Sequence, residues 1–223
     1  MSDSADPRRK TAGDAEQTAA ESLDHQRSDP ANPFSTRRTR PGAIAFIFRA
    51  GESPAALVKR LEENGWRGEI VGPHGSGKST LLCALLPAIK STGREPIVVT
   101  LHDGERSLTT HWDALTATGA KTLLVIDGYE QLSRWSRWRL RRFCKSRGCG
   151  LLVTAHVSVG LPALASTTAD FETALAVVRA LGSDCAALDR ATIERSWHAH
   201  CGNLREVLFD LYDLHELRRL ERR

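Results

Sequence analysis

Short apolar runs alternate along the chain with segments whose apolar residues recur at helical spacing. Four continuous apolar runs predict strands, at residues 68–71, 96–101, 122–127 and 150–154. A strand that is buried on both faces is apolar at successive positions, whereas a strand with one wet face alternates. The pattern therefore predicts an α/β fold, in which a parallel sheet lies between two helical layers (three-layer α/β/α). A further short strand is predicted at 164–167.

Several predicted helices carry recognisable end signals. Ser53 and Pro54 open a helix at 53–64, since Ser caps backbone N–H groups and Pro suits the first turn. Pro87 is expected to kink or end the helix that follows residue 79, because proline lacks an N–H group. The remaining predicted helices cover 133–147, 171–181, 191–200 and 204–214, the last capped by Asn203.

The two ends of the chain differ in composition from its centre. Residues 1–36 contain almost no large apolar side chains, so a disordered N-terminal segment is predicted. Folded structure is expected to begin at 43–48, after a basic junction at 37–42. A core domain is assigned to 37–182, and a small C-terminal helical domain to 183–223.

Composition excludes several classes of protein. With 223 residues, of which 41% are hydrophobic, the chain can bury one sizeable core. No run approaches the roughly 18 apolar residues of a membrane span, and no signal-peptide pattern is found, so a cytoplasmic location is predicted. The cysteines are odd in number and form no C-x-x-C pair, which favours reduced thiols over a metal site. They are Cys83, Cys144, Cys149, Cys185 and Cys201.

One octapeptide, residues 72–79, fits the pattern G-x-x-x-x-G-K-[ST], which cradles nucleotide phosphates. It lies between a predicted strand and a predicted helix, and the N-terminus of that helix would face the phosphates. Lys78 would reach the β- and γ-phosphates, and the Ser79 hydroxyl would ligate Mg²⁺. The residues predicted to bind nucleotide are Gly72, Pro73, His74, Gly75, Ser76, Gly77, Lys78, Ser79 and Thr80.

Two acids follow the third predicted strand. Asp127 ends that strand and is predicted to hold Mg²⁺ together with Ser79, because ligands bind at the carboxyl ends of such strands. Glu130 stands three residues on, where a carboxylate could orient or activate the attacking water. The alternatives are an ordinary strand-end Asp and a solvated Glu at the start of a helix.

The fourth predicted strand ends in two further polar candidates, Thr154 and His156. Either side chain could contact the γ-phosphate or the water, if this strand lies beside the strand of Asp127. Thr also suits a strand without any function, because it is β-branched.

Together these motifs resemble the additional-strand (ASCE) class of P-loop NTPases, and within it the AAA+ and signal-transducing (STAND, NACHT-like) ATPases. The resemblance covers about residues 66–215. It implies ATP and Mg²⁺ as ligands, Glu130 as the functional acid and Thr154 as the first sensor. It also implies that 96–101 is the additional strand, inserted between the loop strand and the Asp strand. Residues 202–206 resemble the second-sensor motif of a helical lid, which implies that Arg205 contacts the γ-phosphate.

The chain also departs from that class. No convincing arginine finger is found, and the adjacent Asp-Glu pair of most AAA+ motors is absent. Without the resemblance, Arg205 is a cation in the first turn of a helix, where the helix dipole disfavours it. The choice of ATP over GTP rests on the resemblance alone.

The segment 133–147 contains seven Lys or Arg residues among fifteen, together with Trp135 and Trp138. In the ordinary interpretation, the aromatic side chains pack against the sheet and the arginines form a solvated face. In the alternative, the arginines neutralise phosphates and a Trp is available for stacking on bases.

The sequence thus predicts an ATP-binding protein that is a slow Mg²⁺-dependent ATPase and acts as a nucleotide-controlled switch. Two alternatives stay open. One is a nucleotide-gated binding module that does not hydrolyse, and the other is a nucleic-acid-binding ATPase that uses 133–147. Nucleotide is the expected partner, and a protein partner or a second copy of the chain stays open as well.

Overall fold

The computed structural model describes residues 32–49, 51–108, 115, 118–181 and 188–221. Three features of the sequence analysis lie outside these residues: the disorder expected for 1–31, Cys185, and the domain boundary at 182/183. The strands are β1 (Arg67–Val71), β2 (Glu95–Thr100), β3 (Thr122–Asp127), β4 (Gly150–Ala155) and β5 (Ala163–Ser166). The helices are α1 (Thr36–Thr39), α2 (Pro54–Glu63), α3 (Lys78–Ser91), α4 (Arg134–Arg147), α5 (Phe171–Ala180), α6 (Arg190–Ala199) and α7 (Leu204–Glu221), and a 3₁₀ turn covers Tyr129–Gln131.

The five strands form one parallel sheet in the order β2-β3-β4-β1-β5. The predicted α/β class with a parallel sheet is therefore confirmed. The prediction that 96–101 lies between the loop strand and the Asp strand is wrong. β2 lies at the edge of the sheet, and β4 is the strand between β1 and β3. The order of strands along the chain does not fix their order in the sheet, because each crossover can place the next strand on either side.

The sheet is covered on both faces by separate apolar clusters. Leu123 and Val125 of β3 pack with α2 and α3, whereas Leu124 and Ile126 of the same strand pack with Leu140 of α4. Successive residues of a strand point to opposite faces, so a strand with helices on both sides must be apolar throughout. This is the physical reason for the continuous apolar runs in the sequence.

Helix α3 runs to Ser91 with Pro87 inside it, so the alternative that Pro87 ends the helix is wrong. A proline inside a helix removes one backbone hydrogen bond and crowds the preceding turn. Leu85 and Ile89 on either side of it are fully buried in the core, and this burial offsets the lost bond. The predicted cap of α2 is present, since the Ser53 hydroxyl accepts from the Ala56 amide.

A third apolar cluster joins α5, α6 and α7. It contains Phe34, which is fully buried, and the Asn32 amide group donates to the Tyr212 carbonyl and to Glu216. The prediction of disorder is therefore wrong for residues 32–36, and ordered contacts begin before 43–48. A single large aromatic side chain that fits a helical core is enough to anchor a segment whose composition is otherwise polar.

Candidate functional site

The phosphate-loop segment, residues 72–79, connects the end of β1 to the start of α3. Gly75 and Gly77 have φ angles of 69° and 90°, which residues with a Cβ rarely adopt. Lys78 is buried, and its ammonium donates to the carbonyls of Gly72 and Pro73 at 2.7 and 2.8 Å. The loop therefore curls around the Lys78 ammonium, which would have to leave these carbonyls to reach a phosphate.

The surroundings of Lys78 pull its pKa in two directions. Burial lowers the pKa of the ammonium below its usual value, and the nearby carboxylates of Glu130 and Asp127 partly oppose this shift. Both predicted acids are thus close enough to act on Lys78. This closeness follows from the sheet order, because β4 alone separates β1 from β3.

Asp127 is held by the strand next to it. The Thr154 hydroxyl donates to Asp127 Oδ1 at 2.6 Å and accepts from the Gly128 amide at 2.9 Å. Thr154 is fully buried, so its hydroxyl fixes the Asp127 carboxylate and the start of the following turn. The expectation that the end of β4 lies beside the strand of Asp127 is confirmed.

Glu130 and His156 lie together above the sheet. His156 Nε2 is 3.1 Å from Glu130 Oε1, while Glu130 Oε2 is buried without a hydrogen-bond partner among the described residues. The His156 ring also contacts the His74 ring, with 3.7 Å between their centroids. The pKa of His156 is lowered by burial and by Lys78 and His74, while Glu130 and Asp103 act in the opposite direction.

The last helix begins directly above the phosphate loop. Asn203 Oδ1 caps α7 by accepting from the amides of Arg205 and Glu206, as the sequence predicted. A Cβ placed on Gly75 would lie 1.8 Å from that same oxygen and 3.0 Å from the Arg205 nitrogen. The Arg205 guanidinium is turned toward the Phe209 ring, 5.6 Å from its centroid, and its side chain is exposed.

The sequence analysis missed two polar residues that shape the site. Thr167 follows β5, and its hydroxyl bonds the Ser76 hydroxyl at 2.7 Å, which ties the loop to the edge strand. Glu69 on β1 is 2% exposed and accepts from the Ser158 hydroxyl and from the Val159 and Leu161 amides. An acid inside an apolar run was a signal for Glu69, because a buried carboxylate requires partners. No local pattern pointed to Thr167.

A cavity of about 320 Å³ opens beside the phosphate loop, between the segment after β5 and the end of α6. Residues of the phosphate loop and Trp197 of α6 are among those that line it. The lining residues are Pro73, Ser76, Thr168, Ala169, Trp197, His198, Cys201 and Gly202.

Ser79 and Asp127 supply oxygen donors, which suit Mg²⁺ bound together with phosphate oxygens. Among the described residues, no group of three or more His, Cys, Asp or Glu side chains could hold a metal ion by itself. The Glu130 Oε2 atom, buried without a partner among the described residues, could accept a hydrogen bond from water or from a bound ligand. Burial raises the pKa of the Cys83 and Cys144 thiols, which favours their inert protonated form.

No helix in the described part of the chain is both long and apolar enough to cross a bilayer. No protein-family model matches the chain, and no curated protein matches it. Among solved structures, a variant of Thermotoga maritima RuvB is similar, with 16% sequence identity and a TM-score of 0.47. The match covers 70% of this chain and 57% of that chain, so the likeness spans little more than half of RuvB.

Proposed function

We propose that the protein binds ATP with Mg²⁺ at the phosphate-loop segment and hydrolyses it slowly, as a nucleotide-controlled switch of the AAA+/STAND kind. One observation carries the proposal. The ammonium of Lys78 lies in the field of two carboxylates, Asp127 and Glu130, at the carboxyl edge of a parallel sheet. The proposal thus has a cation for the phosphates, a carboxylate that could hold Mg²⁺ and a second carboxylate that could activate water. Phosphoryl transfer uses groups of these three kinds.

In this proposal the loop amides and Lys78 bind the β- and γ-phosphates, once the ammonium exchanges its two carbonyl partners for phosphate oxygens. Ser79 and Asp127 would hold Mg²⁺, which neutralises phosphate charge when it is bound. Thr154 keeps the Asp127 carboxylate in place by its 2.6 Å hydrogen bond. The nucleoside would occupy the cavity beside the loop, where Trp197 offers an aromatic wall.

Glu130 is the proposed water-activating residue. Its unpartnered Oε2 would accept a proton from water as the water oxygen attacks the γ-phosphorus, and the bond to the bridging oxygen of ADP breaks. Its other oxygen is held by His156, which restrains the carboxylate and favours slow turnover. Arg205 is proposed as the γ-phosphate sensor, since its backbone adjoins Gly75.

The test measures ATP affinity and turnover for wild type, Lys78→Ala and Glu130→Gln, with exposed Lys90→Ala as the matched control. Lys78→Ala is expected to weaken ATP binding, and Glu130→Gln to keep binding while turnover falls about 10²–10⁴-fold. Unchanged ATP affinity in Lys78→Ala would refute nucleotide binding at this loop. Equal, robust turnover in Glu130→Gln would remove Glu130 from the mechanism.

Two other outcomes would redirect the function. Tight ATP binding with wild-type turnover near the uncatalysed rate indicates a binding module that does not hydrolyse. Turnover per protein molecule that rises steeply with protein concentration indicates that a second copy of the chain completes the site. That second copy would supply the missing arginine finger.

A further inference from the structure

The helix α4 exposes both of its tryptophans. Trp135 and Trp138 are 62% and 58% exposed, so the ordinary interpretation is wrong for the two tryptophans, although Phe143 does pack against the core. The buried side of α4 is formed instead by Leu140 and Cys144, at the far side of the helix. An indole is more often largely buried, because it carries a large apolar surface. Two exposed indoles one turn apart therefore indicate a contact surface.

Cations surround the two indoles. At about 100° per residue, six exposed cationic or aromatic side chains fall within roughly 140° of the helix circumference, opposite the buried side. We call them the arginine-tryptophan face: Arg134, Trp135, Trp138, Arg139, Arg142 and Lys145. The Arg139 guanidinium lies over one side of the Trp135 ring, 4.6 Å from its centroid. The sequence of α4 contains no acid at all.

We propose that the arginine-tryptophan face binds single-stranded nucleic acid, with bases stacked on Trp135 and Trp138 and phosphates paired with the flanking cations. Charge and shape both favour this occupant. Four cations match a phosphate backbone, and flat exposed indoles match unstacked bases, which a duplex does not offer. A second copy that docks through the same face is disfavoured, because two such cationic surfaces repel each other.

The same helix is tied to the proposed catalytic turn. Arg137 Nη2 donates to the Glu130 carbonyl at 2.6 Å and Nε to the Leu132 carbonyl at 2.8 Å. Arg141 Nε donates to the Tyr129 hydroxyl at 3.1 Å. A nucleic acid bound to the arginine-tryptophan face would therefore contact the same helix whose Arg137 holds the backbone at Glu130. This coupling rests on the proposed function, whereas the binding face does not.

The binding test uses the full chain and a fluorescein-labelled oligodeoxythymidylate of about 20 nucleotides, read by anisotropy without ATP. Wild type is expected to bind with a log affinity that falls with log salt, with a slope of about −3 for four neutralised phosphates. Trp135→Ala and Trp138→Ala should each weaken binding about 5- to 100-fold. Arg142→Gln and Lys145→Gln should each make the slope shallower by about 0.7.

The matched control is Lys59→Gln with Lys90→Gln, two exposed lysines on α2 and α3, which cover the other sheet face. These changes should leave the affinity and slope near wild type. Thermal melts of each variant check folding, and exposed indoles are expected to be removable without unfolding. No binding at low salt would overturn the proposal. Equal loss in the lysine control, or no loss in the tryptophan variants, would also overturn it.

Competitors separate the remaining occupants. Unlabelled oligodeoxythymidylate should displace the labelled oligonucleotide better than a blunt duplex or polyglutamate does. Equal displacement by the duplex would refute single-strand recognition. Equal displacement by polyglutamate would also refute it and would indicate an acidic protein partner. Oligonucleotide binding by wild type that shows neither ATP binding nor ATP turnover would support the face while the proposed ATPase function fails. Stimulation of ATP turnover by the oligonucleotide in wild type and its loss in Arg137→Lys would support the coupling, and unchanged stimulation would refute it.

Discussion

Gly75 of the phosphate loop lies directly beneath Asn203, the residue that caps the last helix. A Cβ on Gly75 would fall 1.8 Å from Asn203 Oδ1, so the loop and α7 touch through backbone and cap alone. Any movement of the loop on binding a ligand must therefore be accommodated by the start of α7. This contact gives a physical route from the loop to the helical segment.

The first prediction concerns that contact. Gly75→Ala should lower the free energy of unfolding by about 1–2 kcal/mol through its positive φ, and by a further 1–3 kcal/mol through the clash with Asn203. Gly93→Ala is the matched control, because Gly93 has a φ of 81° and open space around it. Urea denaturation compares the two. Equal losses would show that the clash is absent and that α7 does not rest on the loop.

The second prediction concerns the hydroxyl that holds Asp127. Thr154→Val keeps the side-chain shape but leaves the half-buried Gly128 amide without its acceptor, which should cost about 1–3 kcal/mol. ATP turnover should fall as well, because Asp127 loses its donor. Thr154→Ser keeps both hydrogen bonds and should retain turnover near the wild-type rate. If Val and Ser behave alike in turnover, the hydroxyl has no part in the site.

The third prediction is a pH dependence. The pKa of His156 lies below its ordinary value of 6.5, so the ring is neutral at and above neutral pH. As pH falls through this lowered pKa, His156 takes up a proton and holds Glu130 more tightly, and ATP turnover should decline. Lys78, His74 and Asp103 also face this pair and set the midpoint.

The measurement is turnover against pH for wild type and His156→Asn, which cannot titrate. The acid limb of the wild-type profile should be weakened in the variant, because its side-chain amide takes up no proton in this pH range. Between the folded pKa and 6.5 the unfolded chain binds more protons, so this histidine also costs stability as pH falls through that window. Superimposable pH profiles would contradict the role of His156.

The fourth prediction concerns the buried acid on β1. Glu69→Gln replaces an acceptor oxygen by an NH₂ group that faces donors, and should destabilise the fold by about 1–3 kcal/mol. Glu62→Gln, at an exposed position of α2, is the control and should be nearly neutral. Urea denaturation decides, and a neutral Glu69→Gln would mean that the 158–161 segment is not held by this carboxylate.

The fifth prediction tests the packing of the N-terminal segment. Phe34→Ala removes a fully buried ring from the cluster of α5, α6 and α7, and should cost about 3–5 kcal/mol. Phe46→Ala, at a partly buried position of another cluster, should cost less. Loss of the α7 amide protection in hydrogen exchange would accompany the Phe34 change. Wild-type stability in Phe34→Ala would restore the predicted disorder of this segment.

Much of this protein was determined by the sequence alone, because the relevant physics is local. Continuous apolar runs predicted four of the strands to within a residue or two, and Ser53 and Asn203 cap helices where their side chains can reach nearby amides. The phosphate loop was found from glycines and a lysine at fixed spacing. Such features depend on neighbours a few residues away, which the sequence lists in order.

The tertiary structure alone decided which distant residues meet. It placed β4 between β1 and β3, brought Asn203 onto Gly75, joined His156 to Glu130 and buried Phe34. It also turned Trp135 and Trp138 to solvent, although their helix was predicted correctly. These outcomes depend on the direction of each crossover and on which helix face packs against the sheet. The free energy of that packing comes from contacts between residues far apart in the chain.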